Sequence, residues 1–174
     1  MASAVLEDHV EAACLDWLSG LGWEVGHGPD VSPPDTKTPG TERDTYRDVA
    51  LKHRLRDAIR RLNPHIPAGA QDEAFRMVLS PNIPGQVQAN RQMHRWLVEG
   101  VPVQYQRDGE TRGDRVRLVD WSDVAGNNWL ALNQFSIHGP KLIRRPDVVL
   151  FLNGLPVVVI ELKSPGDENA DLWA

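Results

Sequence analysis

The chain has 174 residues, 41% of them hydrophobic, enough for one globular domain with a real core and a tight fit for two. Its single cysteine, Cys14, excludes an internal disulfide and fits a reducing compartment, and no apolar run approaches the roughly 18 residues of a membrane span. The net charge of −5 excludes recognition of nucleic acid by overall basicity, but not a site that clusters carboxylates around a metal ion. The N-terminus lacks a basic segment followed by an apolar stretch, so it does not read as a secretory signal, and a cytoplasmic location is expected.

The expected elements begin with a helix. Val5-Leu6, Val10, Cys14, Trp17-Leu18 and Leu21 recur every three to four residues, with Gly22 as a C-terminal cap. Residues 26–44 are rich in Gly, Pro, Asp and Thr and are expected as a loop. A second helix is predicted from Tyr46 to Leu62, closed by Asn63-Pro64, and two shorter ones over 70–79 and 84–98. From Val101 the period changes. Val101–Gln106, Arg115–Trp121, Trp129–Ile137, Asp147–Leu152 and Pro156–Leu162 read as strands bounded by Gly, Asp and Asn. The last two are apolar on both faces, the pattern of central strands covered on both sides. Helices followed by strands give an α+β domain with a mixed sheet, 1–174 being one unit.

Charged residues interrupt this apolar end of the chain. Asp147 stands at the entry of one strand, and Glu161 and Lys163 at the exit of the next. Asn153-Gly154 between them is a hairpin signal, which makes the strands antiparallel neighbours. Glu161 and Lys163, two apart, share a face; Asp147 joins it only if the hairpin contains an odd loop or a bulge. By itself Asp…Glu-x-Lys is open to two readings. One is a hairpin with a charged rim. The other is a site in which two carboxylates and the Leu162 carbonyl hold Mg²⁺, while Lys163 holds a water or stabilises developing charge during phosphodiester hydrolysis. Arg144 and Arg145, just ahead of Asp147, are candidates for contacting DNA phosphates, or else balance the nearby carboxylates.

The wider sequence narrows this choice. Asn-Gln-Phe-Ser-Ile (133–137) and Arg-Arg-Pro-Asp-Val-Val-Leu-Phe-Leu-Asn-Gly-Leu-Pro-Val-Val-Val-Ile-Glu-Leu-Lys-Ser-Pro (144–165) closely resemble the N-terminal nuclease domain of type I restriction enzyme R subunits. So do residues 10–23, 61–64, 90–101 and 118–121, which carries the likeness through nearly the whole chain. The resemblance implies a PD-(D/E)xK, restriction-endonuclease-like fold, with a mixed central sheet flanked by helices and preceded by a helical region. It also implies Mg²⁺ dependence and cleavage of double-stranded DNA at sites this domain does not choose. It maps Asp147, Glu161 and Lys163 onto the metal and catalytic positions and places an acidic residue on the first helix near the metal: Glu11, or Glu7 one turn earlier. In such enzymes ATP-driven motor domains follow in the same subunit, and methyltransferase and specificity subunits complete the complex. The family's Gln-x-x-x-Tyr helix does not occur before Ala174, and no Gly-x-x-x-x-Gly-Lys-[Ser/Thr] phosphate loop is present. The chain is therefore expected to be an N-terminal piece of a longer subunit, with ATP bound only elsewhere.

Other signals weigh less. Asp72-Glu73-Ala74-Phe75 has the letters of a helicase box but no phosphate loop, and reads as a helix start; the six histidines lack zinc-ligand spacing. The cations Arg47, Lys52, Arg54, Arg56, Arg60 and Arg61 spread around their helix as a solvated face, and Trp17, Trp23, Trp96, Trp121 and Trp129 are expected as core or interface anchors. The competing functions are a non-catalytic docking or DNA-binding module of the same fold and a nuclease of DNA repair or recombination.

Overall fold

A computed structural model describes residues 2–34 and 42–163, the first six of these by backbone alone. In chain order the elements are α1 (Ala2–Gly20), β1 (Glu24–His27), α2 (Lys52–Leu62), α3 (Ala68–Leu79), α4 (Gln86–Glu99), β2 (Val101–Arg107), β3 (Glu110–Val116), β4 (Trp129–Asn133), β5 (Ile137–His138), β6 (Ile143–Arg144), β7 (Val148–Leu152) and β8 (Leu155–Ile160). The α+β class and the mixed sheet are as expected. The chain divides into two compact units, residues 1–51 with 129–174, and residues 52–128.

The first unit is built on a four-stranded sheet of order β1-β4-β7-β8, with β1 parallel to β4 and the other neighbours antiparallel. All five residues of β7 are buried, which makes it the spine of the sheet. Its alternate residues serve two cores. Val148 and Leu150, with Ala131 of β4, pack against Cys14, Leu15 and Leu18 of α1, Trp23 and Ile160. Val149 and Phe151 pack on the other face with Leu130, Leu132, Phe135, Leu51 and Val31, where Phe135 and Phe151 meet edge to face at 5.1 Å. Each such side chain is worth about 1.5–3 kcal/mol when fully buried. The face of α1 turned to the sheet therefore runs through Leu15. Trp17 and Leu21, expected in the apolar stripe, are 75% and 78% exposed.

Three expectations about this unit are corrected. Residues 26–44 are not all loop: β1 and a 3₁₀ turn at Gly28–Val31 occupy the start, while 35–41 lie outside the described residues. The strand expected over Trp129–Ile137 breaks after Asn133, because Gln134 adopts a left-handed φ of 54°, and the chain resumes as β5 in a separate hairpin with β6. In β8, Val157, Val158 and Val159 are exposed, so among the described residues this strand is an edge rather than a covered central strand.

The second unit holds α2, α3, α4 and the β2–β3 hairpin. Helix α2 begins at Lys52, six residues later than expected. Its Leu55, Ala58, Ile59 and Leu62 are buried, while Arg56 lies over the Phe75 ring at 4.3 Å and pairs with Asp72 at 3.6 Å. Asp72 thus lies within α3 rather than at its start. Of the strand expected over Arg115–Trp121 only Arg115 and Val116 are strand, as the end of β3, which begins at Glu110; the next main-chain N–H, of Arg117, donates to the Asn63 side chain at 2.8 Å instead of to a strand. Among the tryptophans, Trp96 is buried and Trp121 half-exposed, its indole donating to the Leu97 carbonyl at 2.9 Å. No helix of the described residues is long and apolar enough to cross a membrane.

Candidate active site

The β7–β8 hairpin turns on Asn153-Gly154, with φ of 50° and 82°, the two left-handed residues of a type I′ turn. Its carbonyl at Gly154 accepts the Leu51 N–H at 2.8 Å, which ties the turn to the preceding loop. A two-residue turn is even. Alone it would set Asp147 against Ile160 and send it to the wrong face. The pairing is Leu152 with Leu155 and Phe151 with Pro156, but then Leu150 with Val158 and Val148 with Ile160. One extra residue, Val157, is absorbed as a bulge. Continued by one step, the register sets Asp147 opposite Glu161, on one face. The expected odd parity is present, supplied by the bulge and not by the loop.

Asp147 is half-buried, directly after buried Pro146 and directly before β7. Its Oδ2 accepts the Leu162 N–H at 2.6 Å, so the aspartate is fastened to the middle residue of Glu161-Leu162-Lys163. Glu161 and Lys163 are exposed just beyond β8. Their expected terminator, Ser164-Pro165-Gly166, lies outside the described residues. Arg144 of β6 and Arg145 are exposed, Arg144 being paired with Ile137 of β5.

Glu11 reaches the same end of the sheet from α1. Its Oε1 accepts from Asn133 Nδ2 and its Oε2 from Gln134 Nε2, both at 2.7 Å. The Gln134 N–H in turn donates to the Asp147 carbonyl at 3.1 Å, so one residue touches both acids' positions. His27, at the end of β1, lies in register with Asn133, its Nδ1 2.7 Å from Asn133 Oδ1. The side chain of Glu7 lies outside the described residues. Nearby, burial pushes the Cys14 thiol up, and the Glu11 charge adds to that shift. Glycine is required at position 28: a Cβ there would stand 2.6 Å from the Gln134 carbonyl oxygen and 2.7 Å from that of Asn133.

Among the described residues no three His, Cys, Asp or Glu side chains stand together as a ready metal cage. Asp147 and Glu11 instead hold N–H donors. The sequence reading missed His27, Asn133 and Gln134, although two adjacent amides closing an apolar run, Trp129–Asn133, are a visible signal.

Comparison with known proteins places the chain in a family. A family model for the N terminus of the type I restriction enzyme R protein matches residues 5–173. The chain belongs to this family. As an R-protein N terminus it is 37% identical over 167 residues to the type I restriction enzyme HindI endonuclease subunit of Haemophilus influenzae, covering 95% of this chain and 16% of that subunit. It is 31% identical over 168 residues to a protein assigned as the type I restriction enzyme MjaIXP endonuclease subunit of Methanocaldococcus jannaschii, covering 94% and 16%. The R-protein N terminus therefore spans about a sixth of the length of these relatives.

Proposed function

We propose that this R-protein N terminus is the endonuclease domain of a type I restriction subunit, a divalent-ion-dependent hydrolase of DNA phosphodiesters. The observation that carries the reading is the bulge at Val157, which puts Asp147 opposite Glu161 while Asp147 holds the Leu162 N–H between Glu161 and Lys163. A bulge beside a site is a means of aiming side chains. Here it costs a ladder position and returns the one parity that lets an acid on β7's lead-in face Glu-x-Lys.

The donors fit Mg²⁺: the carboxylates of Asp147 and Glu161 and the Leu162 carbonyl are hard oxygens, and Glu11 is a further acid of the same kind. When bound, the ion would polarise a phosphoryl oxygen and lower the pKa of a water. The chain's own groups act around it. Asp147 is oriented by the Leu162 N–H. Lys163 lies on Glu161's face by strand alternation and stabilises the charge that develops on the phosphoryl oxygens, or holds the attacking water. Arg144 and Arg145 contact phosphates of the duplex, positioning it without reading its sequence.

The remaining parts of the reading draw on the relatives' identity as endonuclease subunits and on their greater length. Cleavage is of double-stranded DNA, non-specific, and follows ATP-driven translocation by motor domains elsewhere in the subunit. Methyltransferase and specificity subunits are the partners, and the cytoplasm is the location. The test is plasmid cleavage by the assembled complex with ATP and Mg²⁺. Asp147→Ala and Lys163→Ala are expected to lose cleavage by about 100-fold or more while translocation continues. Unchanged cutting by either variant removes that residue from the catalytic set.

A further inference from the structure

Two polar residues at the end of β4 converge on one carboxylate, and regular strand geometry forbids that. Consecutive strand residues point to opposite faces. Asn133 and Gln134 are consecutive, yet both amides reach Glu11 at 2.7 Å. The left-handed φ of Gln134 makes this possible. Such a conformation costs a residue other than glycine about 1–2 kcal/mol, a strain retained where something depends on it.

We propose that Asn133 and Gln134 are positioning residues that aim the Glu11 carboxylate for cation binding, with His27 fixing the orientation of Asn133. The inference rests on the reading under Proposed function. A carboxylate only accepts hydrogen bonds, so both amides must present their NH₂ groups to Glu11. For Asn133 this leaves Oδ1 facing His27, whose Nδ1 at 2.7 Å then carries the proton that closes the chain. The orientation of every member is thereby determined. A carboxylate has about four lone-pair sites; the amides take one on each oxygen and leave one on each for a cation. The plane of Glu11 is fixed without its capacity being used up. Gly28 permits the close approach on which His27 depends, since a side chain there would collide with the carbonyls of Asn133 and Gln134.

The test uses the full-length R protein carrying this sequence, free of nucleotide, with Mn²⁺ as the probe in calorimetric titrations; the relevant site is the one removed by Asp147→Ala. Gln134→Ala and Asn133→Ala are expected to weaken Mn²⁺ binding there by about 10-fold or more, the usual effect of removing a hydrogen-bond partner from a metal-ligating carboxylate. Their melting temperatures should stay at the wild-type value, and DNA cleavage should recover as metal is raised, which Asp147→Ala should not do. His27→Ala, on an exposed residue, should weaken binding in the same direction by less, and serves if an amide variant fails to fold. Wild-type affinity in the amide and His27 variants, beside loss in Asp147→Ala, overturns the positioning role and leaves the nuclease reading standing. Absence of Mn²⁺ binding by the wild type, or its persistence in Asp147→Ala, overturns both.

Discussion

Two of the amide-centred networks among the described residues are wired differently. In the second unit, fully buried Asn63 donates to the carbonyls of Ile59 and Arg117 at 2.8 and 2.9 Å and accepts the Arg117 N–H at 2.8 Å. Gln71 beside it donates to the carbonyls of Asn63 and Ile66, both at 2.8 Å. Every one of these bonds ends on main chain. In the first unit, His27, Asn133, Gln134 and Glu11 bond side chain to side chain and end on a charged group. An amide bonded to backbone replaces a missing ladder partner and holds the fold. An amide spent on a half-buried carboxylate holds a charge in a chosen direction, which the fold alone does not require.

Breaking the two networks should give opposite results. The largest effect belongs to the acids: Asp147→Ala should abolish cleavage in the assembled complex by about 100-fold or more with little change in denaturation midpoint. Inserting one alanine between Val158 and Val159 should approach the same loss for a different reason. With the bulge kept, the extra residue sets Asp147 against Ile160, so cleavage fails although circular dichroism retains the α+β signature. Asn63→Ala should do the reverse. It strands the Arg117 N–H and carbonyl, part-buried groups, and urea denaturation should show a loss of about 2 kcal/mol or more, with Mn²⁺ affinity unchanged. The smallest effect is expected at half-buried Asp120, whose carboxyl is held below the ordinary range by the N–H groups of Asp123 and Ser122. A lowered folded-state pKa adds stability above the unfolded value and loses it as pH falls through the folded one. The stability gap between wild type and Asp120→Ala should therefore be complete at neutral pH and close below about pH 4.

Much of this is legible in the sequence itself. The Asn153-Gly154 turn and the spacing of Asp147, Glu161 and Lys163 together required odd parity in the hairpin, and the parity is there. The helices of the second unit lie within a few residues of their expected positions, apart from the late start of α2. What the sequence hid has physical causes. β1 is Glu-Val-Gly-His, with one strong strand former, and its parallel partner lies about a hundred residues away, as the separation of 106 between His27 and Asn133 shows. β8 is apolar on both faces whether or not anything covers it, so alternation could not distinguish an edge from a centre. The expected strand through Trp121 ends early because a side chain, Asn63, claims the next N–H. Those last two elements depend on contacts remote in sequence, which local periodicity does not encode.

Arg43 has a mechanical consequence. It is 3% exposed, lies 4.1 Å over the Phe135 ring, and donates to the carbonyls of Asp48, Ser136 and Tyr46 at 2.8, 2.9 and 2.9 Å. The Tyr46 carbonyl also accepts the His138 N–H, and the two rings stack at 4.2 Å. One cation thus rivets two stretches of chain at the root of the β5–β6 hairpin, the one that carries Arg144. A load applied to that arginine passes through the hairpin into a fixed mount instead of bending a free loop.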